Sequence, residues 1–275
     1  MTRKLLIYSI AIILITVACL TLVFKWSELK KETFKYLLFA ALKKSNNDFL
    51  VKPELKIVPE GLVISIDGKN ISDFSPLARW DCFALGISNM KSQKDLNFLG
   101  TPKALKELSI SDADELEDIS ILKHLKLETL FLQAPKITDI SPISDLSLKY
   151  LFIKSNKLTN LEPIKKLSKL KQLFIIGSFS NIDFLKELPL LEVLYISSDN
   201  VADLSKIKDL KNLKSLTIRN NKLIDLSFLQ DLENLTYIDI DAGDKTTLDF
   251  GSIKIPPKVK EFRYWKNGTI NYRNK

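Results

Sequence analysis

A pair of apolar residues, separated by one position, recurs along most of this chain every 21 to 24 residues. The second members of these pairs are Ile66, Ile87, Ile110, Leu132, Ile153, Ile175, Ile196, Ile218, Ile240 and Tyr264. Alternation of this kind predicts a short strand with one buried face. A single unit cannot bury that face alone, so the pattern requires a stack of similar units.

The most regular unit, Leu148 to Leu167, indicates how each repeat folds. Its strand holds Leu151 and Ile153, and after Asn156 the apolar spacing changes to threes, which favours a tight 3₁₀-like return. Proline is tolerated in the first turn of a helix. It occupies one repeat position of the return segment in three units, at Pro76, Pro142 and Pro163.

These motifs resemble the 22-residue class of leucine-rich repeat proteins, typified by bacterial internalins and by regulatory subunits of protein phosphatases. The resemblance covers Leu62 to Tyr264. It implies an α/β repeat solenoid: a horseshoe with a parallel β-sheet on the concave face and short 3₁₀ or helical turns on the convex face. It also assigns an asparagine to the bend after each strand, a position that Asn156, Asn221 and Asn267 fill here. The motifs are specific for fold and unspecific for function.

The N-terminal segment predicts a membrane anchor. Residues 5–24 form twenty uncharged positions, and a helix of that length spans the hydrocarbon core of a bilayer. We therefore expect residues 1–26 to form a single transmembrane helix or signal anchor, with the repeats outside the cytoplasm. Thr16-Val17-Ala18-Cys19 also resembles a lipoprotein cleavage box, so anchoring through Cys19 is an alternative. Lysines flank both ends of the run and leave the orientation open.

The rest of the chain divides into a cap, the repeats and a tail. Residues 27–58 predict a helical and extended cap on the open first repeat, with a helix lying on lipid as the alternative. Residues 59–265 form the repeat domain of about ten units, and residues 266–275 a loose basic tail. The net charge of +8 comprises +6 in residues 1–56, +6 in residues 251–275 and −4 between them. A mildly acidic repeat body gives no indication of nucleic-acid binding.

No residue pattern predicts catalysis, so we do not expect an enzyme or a cofactor. The one histidine, His124, lies in a convex stretch without triad partners. Asp239 and Asp241 point to the same face of a strand and are weak candidates for a metal. The alternative is a solvated acidic patch, because no glycine-turned ligand loop ending in glutamate follows.

The concave face carries an aromatic strip, which is the strongest candidate binding site. The residue between the two core positions of each strand points onto this face. In four consecutive repeats it is aromatic, and neighbouring rows add apolar residues. The resulting candidates are Phe131, Phe152, Phe174, Tyr195, Tyr150, Ile176 and Tyr237. Exposed apolar strips of this kind mark interaction sites, although an aromatic ladder also stabilises neighbouring strands.

Two functions are compatible with these features. The first is a membrane-anchored binding protein that recognises a protein, or else a glycan, through the aromatic strip. The second is a cytoplasm-facing membrane scaffold that recruits or regulates an enzyme, as the resemblance to phosphatase regulators implies.

Overall fold

The computed structural model describes residues 32, 34–46, 53–201, 203–220, 222–243, 247–266 and 269–273. The proposed anchor at residues 5–24 and the alternative lipid attachment at Cys19 lie outside these ranges. Within the described ranges, no helix combines the length and the apolar character needed to cross a bilayer.

One twelve-stranded sheet runs through the described chain, with its strands in sequence order. Strands β2 to β11 are parallel, whereas β1 and β12 pair antiparallel with their neighbours at the two ends. The strands are β1 Glu54–Val58, β2 Gly61–Asp67, β3 Ala84–Ser88, β4 Glu107–Ile110, β5 Thr129–Gln133, β6 Tyr150–Ser155, β7 Gln172–Gly177, β8 Val193–Ser197, β9 Ser215–Arg219, β10 Tyr237–Asp241, β11 Glu261–Lys266 and β12 Thr269–Arg273.

Short 3₁₀ helices return the chain from one strand to the next on the opposite, convex side. They are Ser75–Arg79, Asn97–Leu99, Ser120–His124, Ser141–Ile143, Glu162–Lys166, Asp183–Glu187, Ser205–Asp209 and Ser227–Asp231. The apolar pairs of the strands and the apolar residues of these turns meet in one continuous buried core. The predicted repeat solenoid is therefore confirmed for the described residues.

Each convex turn begins with a hydrogen bond from the backbone to an Asp or Asn side chain, which the repeat pattern does not predict. An Asp or Asn accepts, through Oδ1, the backbone N–H of the residue two positions later, as between Asp203 and Ser205 at 2.7 Å and between Asp225 and Ser227 at 2.8 Å. These bonds lower the pKa of both carboxyls below their ordinary value of 3.8. The same contact opens the turns at Asp73, Asp95, Asp118, Asp139, Asn160 and Asn181.

In two repeats the buried polar residue that follows the core pair lies one residue earlier than Asn156 and Asn221 predict. Ser155 and Asn220 are buried, whereas Asn156 is exposed. The Ser155 hydroxyl donates to the Ile137 carbonyl at 2.7 Å, and Asn220 Nδ2 donates to the Val201 carbonyl at 2.8 Å. The assignment of the bend residue to Asn156 is therefore wrong. Asn221 and Asn267 lie outside the described residues.

A helix over residues 34–45 covers the open side of the first repeat. Leu38 and Leu42 are completely buried in the same core as the repeats. Asn46 ends the helix and joins it to the first repeat: its Oδ1 accepts the backbone N–H groups of Ser72 and Asp73, each at 2.8 Å. A stack of repeats exposes core at its end unless it is capped, and this helix supplies the cap.

The C-terminal end differs from the basic tail predicted at residues 266–275. Strand β12 pairs antiparallel with β11 and so closes the far edge of the sheet with a hairpin. In this hairpin Tyr272 lies opposite Arg263, and Ile270 lies opposite Trp265. The prediction of a loose tail rests on its terminal position and basic composition, whereas Ile270 and Tyr272 alternate with polar residues as a strand requires.

Candidate functional site

The concave face, meaning the face of the sheet that points away from the core, is formed by three rows of side chains. Parallel register makes Phe131, Phe152, Phe174 and Tyr195 direct cross-strand neighbours in the central row. Their flanking residues on each strand are core positions such as Leu151 and Ile153, which point the other way. The strip predicted from the sequence is thus brought together on strands β5 to β8.

The four rings form a continuous stack. The centroids of Phe131 and Phe152 lie 4.1 Å apart with an interplanar angle of 10°. Phe152 and Phe174 are 6.4 Å apart, and Phe174 and Tyr195 are 6.1 Å apart with an angle of 24°. Pairs at these distances stabilise one another by about 0.5–1.5 kcal/mol beyond the area they bury. The stack therefore has a structural role in the sheet itself.

The same rings are also partly exposed, because packing against the neighbouring strands leaves part of each ring in contact with solvent. Each strand makes its extensive contacts with its neighbours in the sheet, and the described elements place no second layer over the strip. Most of each aromatic side chain is packed against its neighbours, while a smaller part faces solvent. Rigid, partly exposed aromatic groups are the side chains that most often dominate protein interfaces.

The three additional candidates lie at different distances from the strip. Tyr150 joins it directly, since its ring is 5.5 Å from that of Phe174. Burial raises the pKa of the Tyr150 hydroxyl above its ordinary value. Ile176 is half-buried in the adjoining row, between Lys154 and Ser197.

Tyr237 is separated from the strip. In its row, Val193 and Ser215 stand on the two intervening strands between Gln172 of β7 and Tyr237 of β10. Its ring instead lies under the guanidinium of Arg263, at 5.0 Å. The structure thus brings together Phe131, Phe152, Phe174, Tyr195, Tyr150 and Ile176, and it places Tyr237 in a different cluster.

That cluster is organised around Asp239, one of the two weak metal candidates. Asp239 is 6% exposed, and Arg219 donates to both of its carboxylate oxygens at 3.0 Å. Arg263 Nη2 donates to Oδ2 at 3.0 Å, and the Tyr237 hydroxyl lies 3.3 Å from the same oxygen. Two guanidinium groups therefore bind the carboxylate. Asp239 is the centre of an ion-pair cluster, which explains its position without a metal ion.

The remaining chemical candidates do not assemble into a site. Asp241 Oδ1 accepts the backbone N–H of Gly243 at 3.0 Å. Within the described ranges, no three His, Cys, Asp or Glu side chains are grouped so that they could hold a metal ion. His124 is exposed at the end of its 3₁₀ turn.

The concave face changes character along the stack. On β2 to β4 the central row is small, with Ser65, Gly86 and Ser109, and a shallow groove of about 370 Å³ runs over it. The aromatic strip follows on β5 to β8, and the ion-pair cluster on β9 to β11. A partner that covers the whole face would meet a low polar surface, an aromatic ridge and a charged region in that order.

The terminal hairpin adds apolar residues that the sequence analysis omits from the site. Tyr272 extends the central row beyond Arg263, and Ile270 extends the adjoining row beyond Trp265. Both are exposed. The Asn267-Gly268 dipeptide between two alternating stretches is the sequence signal for a hairpin that identifies these residues.

Comparisons with known proteins show the fold. No family model and no curated protein matches the sequence. Among solved structures, an internalin, InlF, from Listeria monocytogenes is 24% identical, with a TM-score of 0.51, over 69% of this chain and 63% of its own. Internalin C2 from the same organism is 22% identical, with a TM-score of 0.50, over 74% of this chain and 92% of its own.

A leucine-rich repeat protein of Leptospira interrogans is also similar. It is 18% identical, with a TM-score of 0.56, over 70% of this chain and 51% of its own. This chain thus matches less than two thirds of the length of InlF and of the Leptospira protein. Identities below 25% establish architecture and leave function to the site. The chain has the leucine-rich repeat fold, and it is similar in structure to bacterial internalins.

Proposed function

We propose that this chain is a membrane-anchored binding protein whose aromatic strip recognises a protein partner. The observation that carries the proposal is the stack of four rings on consecutive strands of an open sheet face. Stacking stabilises the sheet, but it leaves the ring edges uncovered. Here the exposed ring edges stand in line over four strands, and strands are about 4.8 Å apart, so the ridge is roughly 15 Å long.

The chemistry of the strip indicates what kind of partner surface fits. Partly exposed phenylalanines offer apolar area and no hydrogen-bonding groups, so the matching surface presents aliphatic or aromatic side chains. Tyr150 and Tyr195 add hydroxyl groups at the margin. A glycan is the second ligand class, because sugar rings can also pack on aromatic faces, but three of the four ridge residues lack the polar groups that sugar hydroxyls require.

Anchoring through residues 5–24, with the repeats outside the cytoplasm, completes the proposal. It is supported by twenty consecutive uncharged positions followed by Lys25 and Trp26, a pair typical of the membrane interface. The four lysines that follow the run, between positions 25 and 35, favour a second candidate, the cytoplasm-facing scaffold. External protease added to intact cells separates the two: it removes the repeats in the first case and spares them in the second. In an organism with an outer membrane, spheroplasts replace intact cells.

Attachment through Cys19 is tested separately with the variant Cys19→Ser. A retained transmembrane helix leaves this variant in the membrane fraction. A lipoprotein would carry an acyl label on the wild-type chain and lose that label in the variant, whereas a retained helix would show no label in either chain.

Site-specific photo-crosslinking tests recognition by the strip. A benzophenone analogue of phenylalanine is placed at Phe152 or Phe174 in the full chain, and the cells are irradiated. The matched control is the same analogue at Ile224, the most exposed large apolar residue described, which lies outside the concave face. The proposal predicts one discrete protein adduct from both strip positions and none from Ile224. Equal adducts at all three positions, or no adduct from the strip, would contradict it.

A further inference from the structure

The cap helix presents an apolar and cationic surface on the side that faces away from the repeats. Tyr36 is 71% exposed and Leu37 is 50% exposed, although both lie one or two positions from the fully buried Leu38. Lys43 and Lys44, at the end of the same helix, are exposed as well. A helix whose only role was to cap the repeats would have a polar outer side, so this composition needs another explanation.

A cavity of about 720 Å³ adjoins this surface, between the helix and the first convex turn. Phe34 and Trp80 form one wall, with ring centroids 5.7 Å apart in an edge-to-face arrangement. Lys44, Arg79 and Asp81 line the same cavity, and Asp81 Oδ1 accepts the backbone N–H of Ala104 at 2.9 Å. Within the described residues, neither cation forms an ion pair. The cavity thus combines aromatic rings with two cations that are available to an anionic group.

The position of the cap in the chain limits what can lie against it. Nine residues, 25–33, separate the apolar run at 5–24 from the helix over residues 34–45. Even fully extended, nine residues span at most about 32 Å. If residues 5–24 cross a bilayer, the cap is held close to its surface, and the cap is the only end of the solenoid so held.

We propose that the outer surface of the cap, formed by Phe34, Tyr36, Leu37, Lys44 and Arg79, docks on an anionic lipid surface. The proposal rests on membrane anchoring as given under the proposed function. Aromatic rings with a polar tip and lysines beside apolar residues are the groups that settle at the headgroup level. Anionic headgroups attract juxtamembrane lysines and arginines, and the cavity accepts such a headgroup beside Trp80.

Docking in this way fixes the orientation of the solenoid. The cap end lies on the membrane, and β12 stands ten strand spacings from β2, or about 48 Å away. The stack then projects outward, and the aromatic strip on β5 to β8 faces sideways, clear of the lipid. A surface contact at the cap would therefore present the concave face to a partner.

Fluorescence quenching of single-tryptophan chains tests the contact. The full chain is placed in vesicles of phosphatidylcholine and phosphatidylserine that contain a lipid with a spin-labelled headgroup. Trp26→Phe and Trp265→Phe leave Trp80 as the emitter, whereas Trp26→Phe and Trp80→Phe leave Trp265 as the matched control at the far end. The proposal predicts loss of Trp80 emission and unchanged Trp265 emission, with weaker loss when phosphatidylserine is omitted or salt is raised.

Surface variants connect the quenching to the named residues. Tyr36→Ser with Leu37→Ser should restore Trp80 emission in the vesicles. The matched control is Ile270→Ser with Tyr272→Ser, a pair of similarly exposed apolar residues on β12, which should leave the quenching unchanged. Because all four side chains are exposed, melting curves should confirm that both variants fold.

The outcomes separate this proposal from the one on which it rests. A chain that sediments with vesicles but shows equal emission from Trp80 and Trp265 overturns cap docking and leaves the anchor intact. A chain that does not sediment with vesicles at all overturns both docking and anchoring. Photo-crosslinking through Phe152 reports on partner binding independently of either result.

Discussion

Replacement of Phe152 by alanine separates the structural role of the aromatic strip from its binding role. The ring is stacked on Phe131 at 4.1 Å and lies 6.4 Å from Phe174. Removing a fully buried phenylalanine costs about 3–5 kcal/mol of folding stability. Because Phe152 keeps a minor part of its surface exposed, we expect Phe152→Ala to lower the free energy of unfolding by somewhat less than that, about 2–3 kcal/mol.

The effect on binding should be of similar size but specific to this face. Removing a central aromatic residue from an interface costs about 2 kcal/mol or more of binding free energy, which raises the dissociation constant about thirtyfold. The partner identified by crosslinking would be titrated calorimetrically against the wild-type and variant chains. Urea unfolding of the same samples gives the stability change.

Phe98→Ala is the matched control for this measurement. Phe98 is also half-buried and lies in an aromatic pair, 5.1 Å from Phe74, but in a convex turn. It should lose a similar amount of stability and keep wild-type affinity. If Phe98→Ala weakens binding as much as Phe152→Ala, the loss reflects general destabilisation, and the reasoning about the strip is refuted.

Three further predictions concern the ion pairs, the turns and the buried thiol. Arg219→Ala should destabilise the chain by about 2–3 kcal/mol in urea unfolding, since it leaves Asp239 buried with half of its partners; adding Asp239→Ala should recover part of the loss, and a purely additive result would argue against coupling. The carboxyls of Asp203 and Asp225 have lowered pKa values, so their stabilisation is complete above the ordinary value of 3.8 and is lost as pH falls through the folded-state pKa; urea midpoints should be level near neutral pH and fall in acid, less steeply when both are Asn. Burial, together with neighbouring charge, raises the pKa of the Cys82 thiol to about 11, so in a Cys19→Ser chain maleimide should label Cys82 only after unfolding, and rapid labelling of the folded chain would contradict its burial.

The repeat pattern predicts the sheet well because it contains two independent periods. Alternation within each strand determines which residues are buried, and the spacing of about 22 residues determines which strands are neighbours. Together they place Phe131 next to Phe152, and Phe152 next to Phe174, as the register confirms. Any property that follows from the direction of a side chain in a regular strand could be derived in this way.

Properties that depend on local backbone geometry were harder to derive. The buried residue is Ser155 and not Asn156, because strand β6 continues its alternation as far as Ser155, which points to the core, so that Asn156 faces solvent. The sequence indicates only that Asp239 and Asp241 share one face of a strand, which makes them weak candidates for a metal. The actual partners of Asp239, Arg219 and Arg263, come from the two adjacent strands and become visible only when the register is applied across all three.

Hydroxyl-radical footprinting of the chain, alone and with its crosslinked partner, tests most directly whether the concave strip is the binding face. Oxidation of each aromatic residue reports the exposure of its ring in both states. The account predicts that Phe131, Phe152, Phe174 and Tyr195 become protected in the complex, while Phe98 in its convex turn changes less. Protection confined to the convex turns, with oxidation of the strip unchanged, would contradict it.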